Sequence, residues 1–305
     1  AVMAATTGDG PNAANALAAN THTTIRCSSR PNPYRRAWSR AASSDRFPSR
    51  SAWDAAQTAK PKNQLTGMPK NRIPTYRNKE NPMTDTKNRE PMVIALATGK
   101  GGSMKTTSAV FLACALVDQS RGEQRALVAD ADVQGDAKDW WYRAAELDDP
   151  LPFDVMSAAP ADIAHLRELN GRLDSPVDWV LIDSAPYGRA LDESVNNADL
   201  VVIPSSPSRI DLDQAVGVKD LCDRRGVPAA ILLCRTEANT TALRDALAWI
   251  DAADIACFET LIPNRQDILT AKSTRPRGSR LHEYRDLAAE LKQTMRQLKD
   301  KEEDL

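Results

Sequence analysis

PMVIALATGKGGSMKTTSAVFLACAL, residues 91–116, joins a short apolar run to a glycine-rich loop and then to an apolar segment of helical length. The run 91–97 has the unbroken hydrophobicity of a strand covered on both faces. Gly99-Lys100-Gly101-Gly102-Ser103-Met104-Lys105-Thr106-Thr107 follows and leads at once into a periodic helix carrying Ala109, Val110, Leu112 and Ala113. A strand, a glycine loop and a helix N-terminus together make an anion cradle, because backbone N–H groups point inward and the helix dipole favours negative charge. Gly101, Gly102, Ser103, Met104, Lys105, Thr106 and Thr107 are the candidate phosphate-binding residues. Lys105 is placed to reach β- and γ-phosphates, and Thr106 to offer its hydroxyl to Mg²⁺. One position departs from the general pattern: glycine is usual immediately before the lysine, and Met104 stands there.

Outward from the loop, short apolar runs alternate with helix-length segments. Strands are expected at 91–97, 126–130, 152–156, 178–183, 199–204, 229–234 and 256–262, with helices at 105–120, 136–147, 160–171, 189–197, 210–225, 239–252 and 281–302. This alternation predicts an α/β fold, a doubly wound and mostly parallel sheet with helices on both faces. Ligands in such sheets lie at the carboxyl ends of strands. Two further segments fall on that edge: ALVAD runs into Asp130-Ala131-Asp132-Val133-Gln134-Gly135, and DWVLID ends at Asp183-Ser184-Ala185-Pro186. Carboxylates at those strand ends are what Mg²⁺ and an attacking water require.

The rest of the chain differs in kind. Residues 1–90 carry 15 Lys/Arg and 6 Asp/Glu, whereas 91–305 carry 25 and 35, a swing from net +9 to net −10 within a chain of net −1. The first ninety residues contain five Ile, Leu or Val and eight Pro. So few apolar side chains do not offset about 1–2 kcal/mol of backbone entropy per residue, so this segment reads as a disordered basic tail. Its Arg- and Ser-rich composition also suits a transit peptide, though it lacks an amphipathic repeat. Met83 is the expected natural start, with a basic accessory tail as the other reading. Residues 91–305 suffice for one domain. The five cysteines, Cys27, Cys114, Cys222, Cys234 and Cys257, have no CxxC spacing and read as reduced thiols in the core,. No apolar run approaches the ~18–20 residues of a membrane span.

Taken together, the motifs resemble the ParA/MinD superfamily of deviant Walker P-loop ATPases, in particular the short partition-type ParA family. Lys100 matches the additional lysine of the KGGxxKT[ST] loop, and DADVQGDAKDWW resembles the family's DxDPQG segment with Val133 in place of Pro. VLIDSAPYG is similar to its second acidic strand, and ADLVVIPSSPSRIDLD to its ADxVxIPxxPSxxD segment. LIPNRQDIL resembles the region beside the adenine, which with the end of the preceding strand puts Arg235 and Pro263 among the nucleotide contacts. The likeness covers about residues 91–300.

The resemblance implies a cytoplasmic, nucleoid-associated ATPase that binds ATP and Mg²⁺ and forms a homodimer across two nucleotides. Lys100 would reach the partner's nucleotide, Lys105 its own, and Asp132 would orient the attacking water, with Asp130 and Asp183 supporting the metal. It further implies non-specific DNA binding and a small ParB-like, centromere-binding partner that stimulates hydrolysis. Basic candidates for DNA are Arg265, Lys272, Arg275, Arg277 and Arg280. The alternatives are a nucleotide switch that does not turn over and a membrane-positioning ATPase of MinD type. The acidic end KDKEEDL speaks against the latter, since anionic lipid would repel it,.

Overall fold

The computed structural model describes residues 90–303. The expectations of a disordered basic segment and of a start at Met83 concern residues outside that range, apart from Glu90. Seven strands form one sheet: β1 (Met92–Leu96), β2 (Ala126–Asp130), β3 (Asp154–Ser157), β4 (Trp179–Asp183), β5 (Leu200–Ser205), β6 (Ala229–Thr236) and β7 (Ile262–Pro263). Their order is β3-β2-β4-β1-β5-β6-β7, and every pairing is parallel. The central strands are buried on both sides, as their unbroken apolar sequences require,.

Side-chain alternation divides the core in two. Ile94, Leu96, Leu181 and Val202 face one layer, formed by α1 (Lys105–Gln119), α2 (Asp136–Glu146), α8 (Gln266–Thr270) and α9 (Tyr284–Glu303). Val93, Ala95, Val180, Ile182 and Val201 face the other layer. It is formed by α3 (Pro160–Ala164), α4 (Leu166–Gly171), α5 (Arg189–Asn196), α6 (Arg209–Arg225) and α7 (Thr241–Ala252). The doubly wound α/β expectation therefore holds. In α9, Tyr284, Leu287, Ala288, Leu291 and Met295 form one buried stripe. Burying a side chain of the Leu or Met class contributes about 1.5–3 kcal/mol, which fixes this helix to the sheet.

Three elements differ from expectation. The predicted strand 256–262 shrinks to a single bridge between Cys257 and Ile231 and the two-residue β7, because the N–H groups of Glu259 and Thr260 bond to the Glu290 carboxylate instead of a strand. The predicted helix 160–171 breaks at His165 into α3 and α4, and Arg167 just beyond the break reaches the Pro91 carbonyl at 2.9 Å and Asp199 at 2.5 Å. The final helix is preceded by a 3-10 turn at Gly278–Leu281 and begins only at Tyr284. Cys114, Cys222 and Cys234 are buried free thiols and Cys257 is a half-buried one. Burial pushes Cys222, Cys234 and Cys257 up to about 12, so they remain protonated.

Candidate functional site

The site forms where the chain leaves β1 at the middle of the sheet. Connections from β1 run to β2 on one side, and β4 returns past β1 to β5, so the carboxyl edge beside β1 is a topological switch point, where such sheets bind ligands,. Thr98, buried at the strand's end, donates its hydroxyl to the Lys100 carbonyl at 2.9 Å and lies 2.5 Å from the Ser103 hydroxyl, which closes the loop. Gly102 takes φ +73°, a conformation open to glycine at no steric cost,. The Lys105 ammonium folds into the loop and donates to the Lys100 carbonyl at 3.1 Å. Burial lowers its pKa, opposed by the charges of Asp183 and Asp132. In that position a phosphate oxygen would be a better partner than the carbonyl, being charged.

Met104 explains its own departure from the loop pattern. It adopts φ 69° and ψ 18° at the start of α1, where a side chain costs about 1–2 kcal/mol,. Its thioether is only 7% exposed and joins the core of the α1 layer. Burial of that size offsets the backbone cost.

The carboxylates converge on the same edge. Asp130 is buried and accepts the Lys138 N–H at 2.9 Å and the Asp132 N–H at 3.3 Å. Burial raises its pKa, with those backbone bonds pulling the other way. Asp132 accepts the Gln134 N–H at 3.1 Å, which shapes the loop before α2. Asp183 is fully buried, and neither of its oxygens has a hydrogen-bond partner among the described residues. Burial pushes it up to about 7, against a lowering by Thr106, whose hydroxyl stands near but outside hydrogen-bond geometry. A buried carboxylate without a partner next to a threonine and two other acids fits a hydrated cation. No cluster of three or more His, Cys, Asp or Glu that would grip a metal directly occurs among the described residues. Mg²⁺, which keeps several of its waters, suits that arrangement.

Two residues that sequence reasoning left unassigned also belong here. Asp211, in the first turn of α6, forms an ion pair with Lys100 and accepts the Ser206 hydroxyl at 2.7 Å. Burial opposes its ionisation, yet the bonds from Lys100, Ser206 and Ser208 outweigh it and hold the carboxyl below its usual range. The PSRID pattern carried the signal: Ser208 caps α6 by accepting the Asp211 N–H at 3.3 Å, and the same turn aims Asp211 at the loop. Thr98 carried none beyond its position before the glycines.

Arg235 lies one residue from the end of β6, and Pro263 ends β7, where it pairs with Thr236. Arg235 takes φ 53° at the register break between Cys234 and Thr236 and is exposed. The five basic candidates are mostly engaged with acids. Arg265 pairs with Glu283 at 2.6 Å, Lys272 with Asp136 at 3.3 Å and Arg277 with Asp149 at 3.1 Å. Arg275 buries its Nε, and only Arg280 is exposed with no ion pair among the described residues.

Sheet order and loop together give a parallel α/β fold with a P-loop-like phosphate cradle at its carboxyl edge, the fold seen in ParA-like partition proteins and MinD. No family model matches the sequence. The chain is 38% identical over 125 residues to the maintenance of carboxysome distribution protein A of Gloeobacter kilaueensis, a match covering 40% of this chain and 52% of that protein. The chain thus spans about half the length of the curated relative it matches. Among solved structures it is similar to a plasmid partition protein of Borrelia burgdorferi bound to AMPPNP (TM-score 0.55, 17% identity, 67% of this chain and 100% of that one). It is also similar to the MinD cell division protein of Aquifex aeolicus (TM-score 0.54, 20% identity, 66% and 96%).

Proposed function

We propose that the chain is an ATPase that forms a homodimer on binding ATP and uses the cycle to position or segregate a cargo over non-specific DNA. The observation that carries this reading is the exposed apolar rim around the cradle. Val133 after β2 is fully exposed, Tyr187 after β4 is 78% exposed and Ile210 after β5 is 74% exposed. Three bulky side chains beside a polyanion site are a surface that a second protomer would cover. Lys100 stands at the same rim, and on leaving Asp211 it neutralises charge on the partner's nucleotide.

In this mechanism Thr106, Asp130 and Asp183 would hold Mg²⁺, which would neutralise charge on the phosphates. Lys105 neutralises charge on the phosphates of its own protomer. Asp132 orients the attacking water. ATP, when bound, supplies the phosphoryl bond whose cleavage lets the protomers part. Arg235 and Pro263 line the base. Lys272, Arg275, Arg277, Arg265 and Arg280 are the candidate DNA contacts, and a small ParB-like protein is the candidate activator. Sedimentation velocity with and without AMPPNP and Mg²⁺ tests the dimer: the wild type should double in mass with nucleotide, and Lys100→Ala should not. A wild type that stays monomeric at saturating nucleotide overturns the reading.

A second reading concerns the cargo. The 38% identical stretch is shared with a protein named for carboxysome distribution, which favours a protein compartment over a plasmid as the object moved. Stimulation of ATP turnover by an adaptor protein of such a compartment, and not by a centromere-binding protein, would select it. Turnover at background under every condition would leave the nucleotide switch.

A further inference from the structure

Helix α9 touches both halves of the candidate nucleotide site. Near its start the Tyr284 hydroxyl lies 3.0 Å from the Ser108 hydroxyl, in the first turn of the phosphate-binding helix α1. Both residues are completely buried, and the Tyr284 ring packs on Phe111 of α1 with centroids 4.9 Å apart. Farther along α9, the Glu290 carboxylate accepts the N–H of Glu259 at 2.7 Å on one oxygen and that of Thr260 at 3.0 Å on the other. Those two residues lead straight into β7. That strand has two residues and pairs with β6 across a register break, so the sheet alone holds it weakly. Hydrogen bonds to a charged carboxylate are roughly twice as strong as neutral ones, and two to successive N–H groups leave a loop little freedom.

We propose that Glu290 is a positioning residue for the base end of the nucleotide site. It fixes the segment 259–263, and through it Pro263 and the neighbouring Arg235, at a set distance from the phosphate loop. Tyr284 fastens the same helix to α1, so α9 spans the two ends. The proposal rests on the nucleotide-binding reading above. Glu290 itself touches no nucleotide and acts only through the 259–263 backbone.

The test is calorimetric titration of the full chain with MgATP and, separately, with magnesium tripolyphosphate, which offers phosphates and no base. Glu290→Gln keeps the size of the side chain but turns an amide donor toward one of the two N–H groups, and Glu290→Ala removes both acceptors. Both should weaken ATP binding by about tenfold, which is about 1.4 kcal/mol, on the scale of a hydrogen bond to a charged group. Binding of tripolyphosphate should stay within about twofold of wild type. Tyr284→Phe, which loosens α9 at the phosphate end, should shift the two ligands together. A loss common to both ligands in Glu290→Gln, or a loss in neither, overturns the positioning role, because a merely slackened or unfolded helix would not spare the ligand without a base. If the wild type binds neither ligand, the nucleotide reading itself falls, a result distinct from a selective failure of Glu290.

Discussion

Met104 holds a left-handed backbone where glycine would adopt it freely, and its side chain is packed in the core. The two effects oppose each other in a Met104→Gly variant. Strain relief is about 1–2 kcal/mol, whereas truncating a buried Met costs about 2–5 kcal/mol. Restoring the usual loop residue should therefore destabilise the protein by about 1–3 kcal/mol, measured by urea denaturation; a stabilised variant would show that backbone strain dominates. Asp211 and Lys100 give a second prediction. Asp211→Ala removes the carboxylate that holds Lys100 in its own protomer, so nucleotide-dependent dimerisation should occur at lower protein concentration than in the wild type. The pair also has a pH signature. The folded pKa of Asp211 lies below the unfolded value of about 3.9, so its contribution is present above that pH and is lost as pH falls through the folded pKa,. The stability difference between wild type and Asp211→Asn should accordingly be constant near neutrality and shrink below about pH 4.

Among the elements, α6 and the 271–281 segment connect packing to the site. Ser208 caps α6 in the turn that presents Asp211, and Ser208→Ala should cost about 1 kcal/mol and loosen Lys100 as well,. The 271–281 segment is tied to α2 and the corner after it: the Trp140 indole donates to the Thr274 carbonyl at 2.8 Å, and Asp149 accepts the Arg275 N–H at 3.3 Å while pairing with Arg277. Replacing Arg277 would thus remove its ion pair with Asp149 as well as any DNA contact, whereas the Arg275 bond comes from the backbone and survives a side-chain change. Arg280→Ala is the cleaner probe. It should leave the melting temperature unchanged and, if this face meets DNA, reduce ATP-dependent retention on a DNA column and flatten its salt dependence by about one unit of slope. Unchanged retention and slope would place the DNA contact elsewhere.

At the scale of the whole molecule, a nearly neutral chain is net −10 over residues 91–305 and net +9 over residues 1–90, so any DNA footprint on residues 91–305 would be local,. Among the described residues no helix is long and apolar enough to cross a membrane. The parallel order of the sheet follows from the alternation of apolar runs with helical segments, and β1, β2 and β4 fall within a residue of expectation because each is a continuous apolar stretch ending in a loop of distinct chemistry. The strand expected at 256–262 fails because its apolar character says nothing of Glu290, thirty residues on, which takes the N–H groups a ladder would need. That the glycine loop would follow β1, that Lys105 and Thr106 would open α1 and that Asp130 and Asp183 would end β2 and β4 was legible, since those residue types and their order are local. Thr98 and Asp211 were not assigned, because their partners Ser103 and Lys100 are met through side-chain direction, and Asp211 reaches Lys100 across 111 positions. The sequence by itself determined the sheet, the glycine-rich loop ahead of α1 and the acidic strand ends, all consequences of short-range periodicity and loop composition. Only the tertiary structure decided that Met104 is tolerated through burial, that Lys100 rests on Asp211, that Arg265, Lys272 and Arg277 are paired with carboxylates and that Glu290 takes the N–H groups of Glu259 and Thr260. Each of these depends on which distant side chains packing brings within a few ångströms, and a linear pattern does not encode such distances.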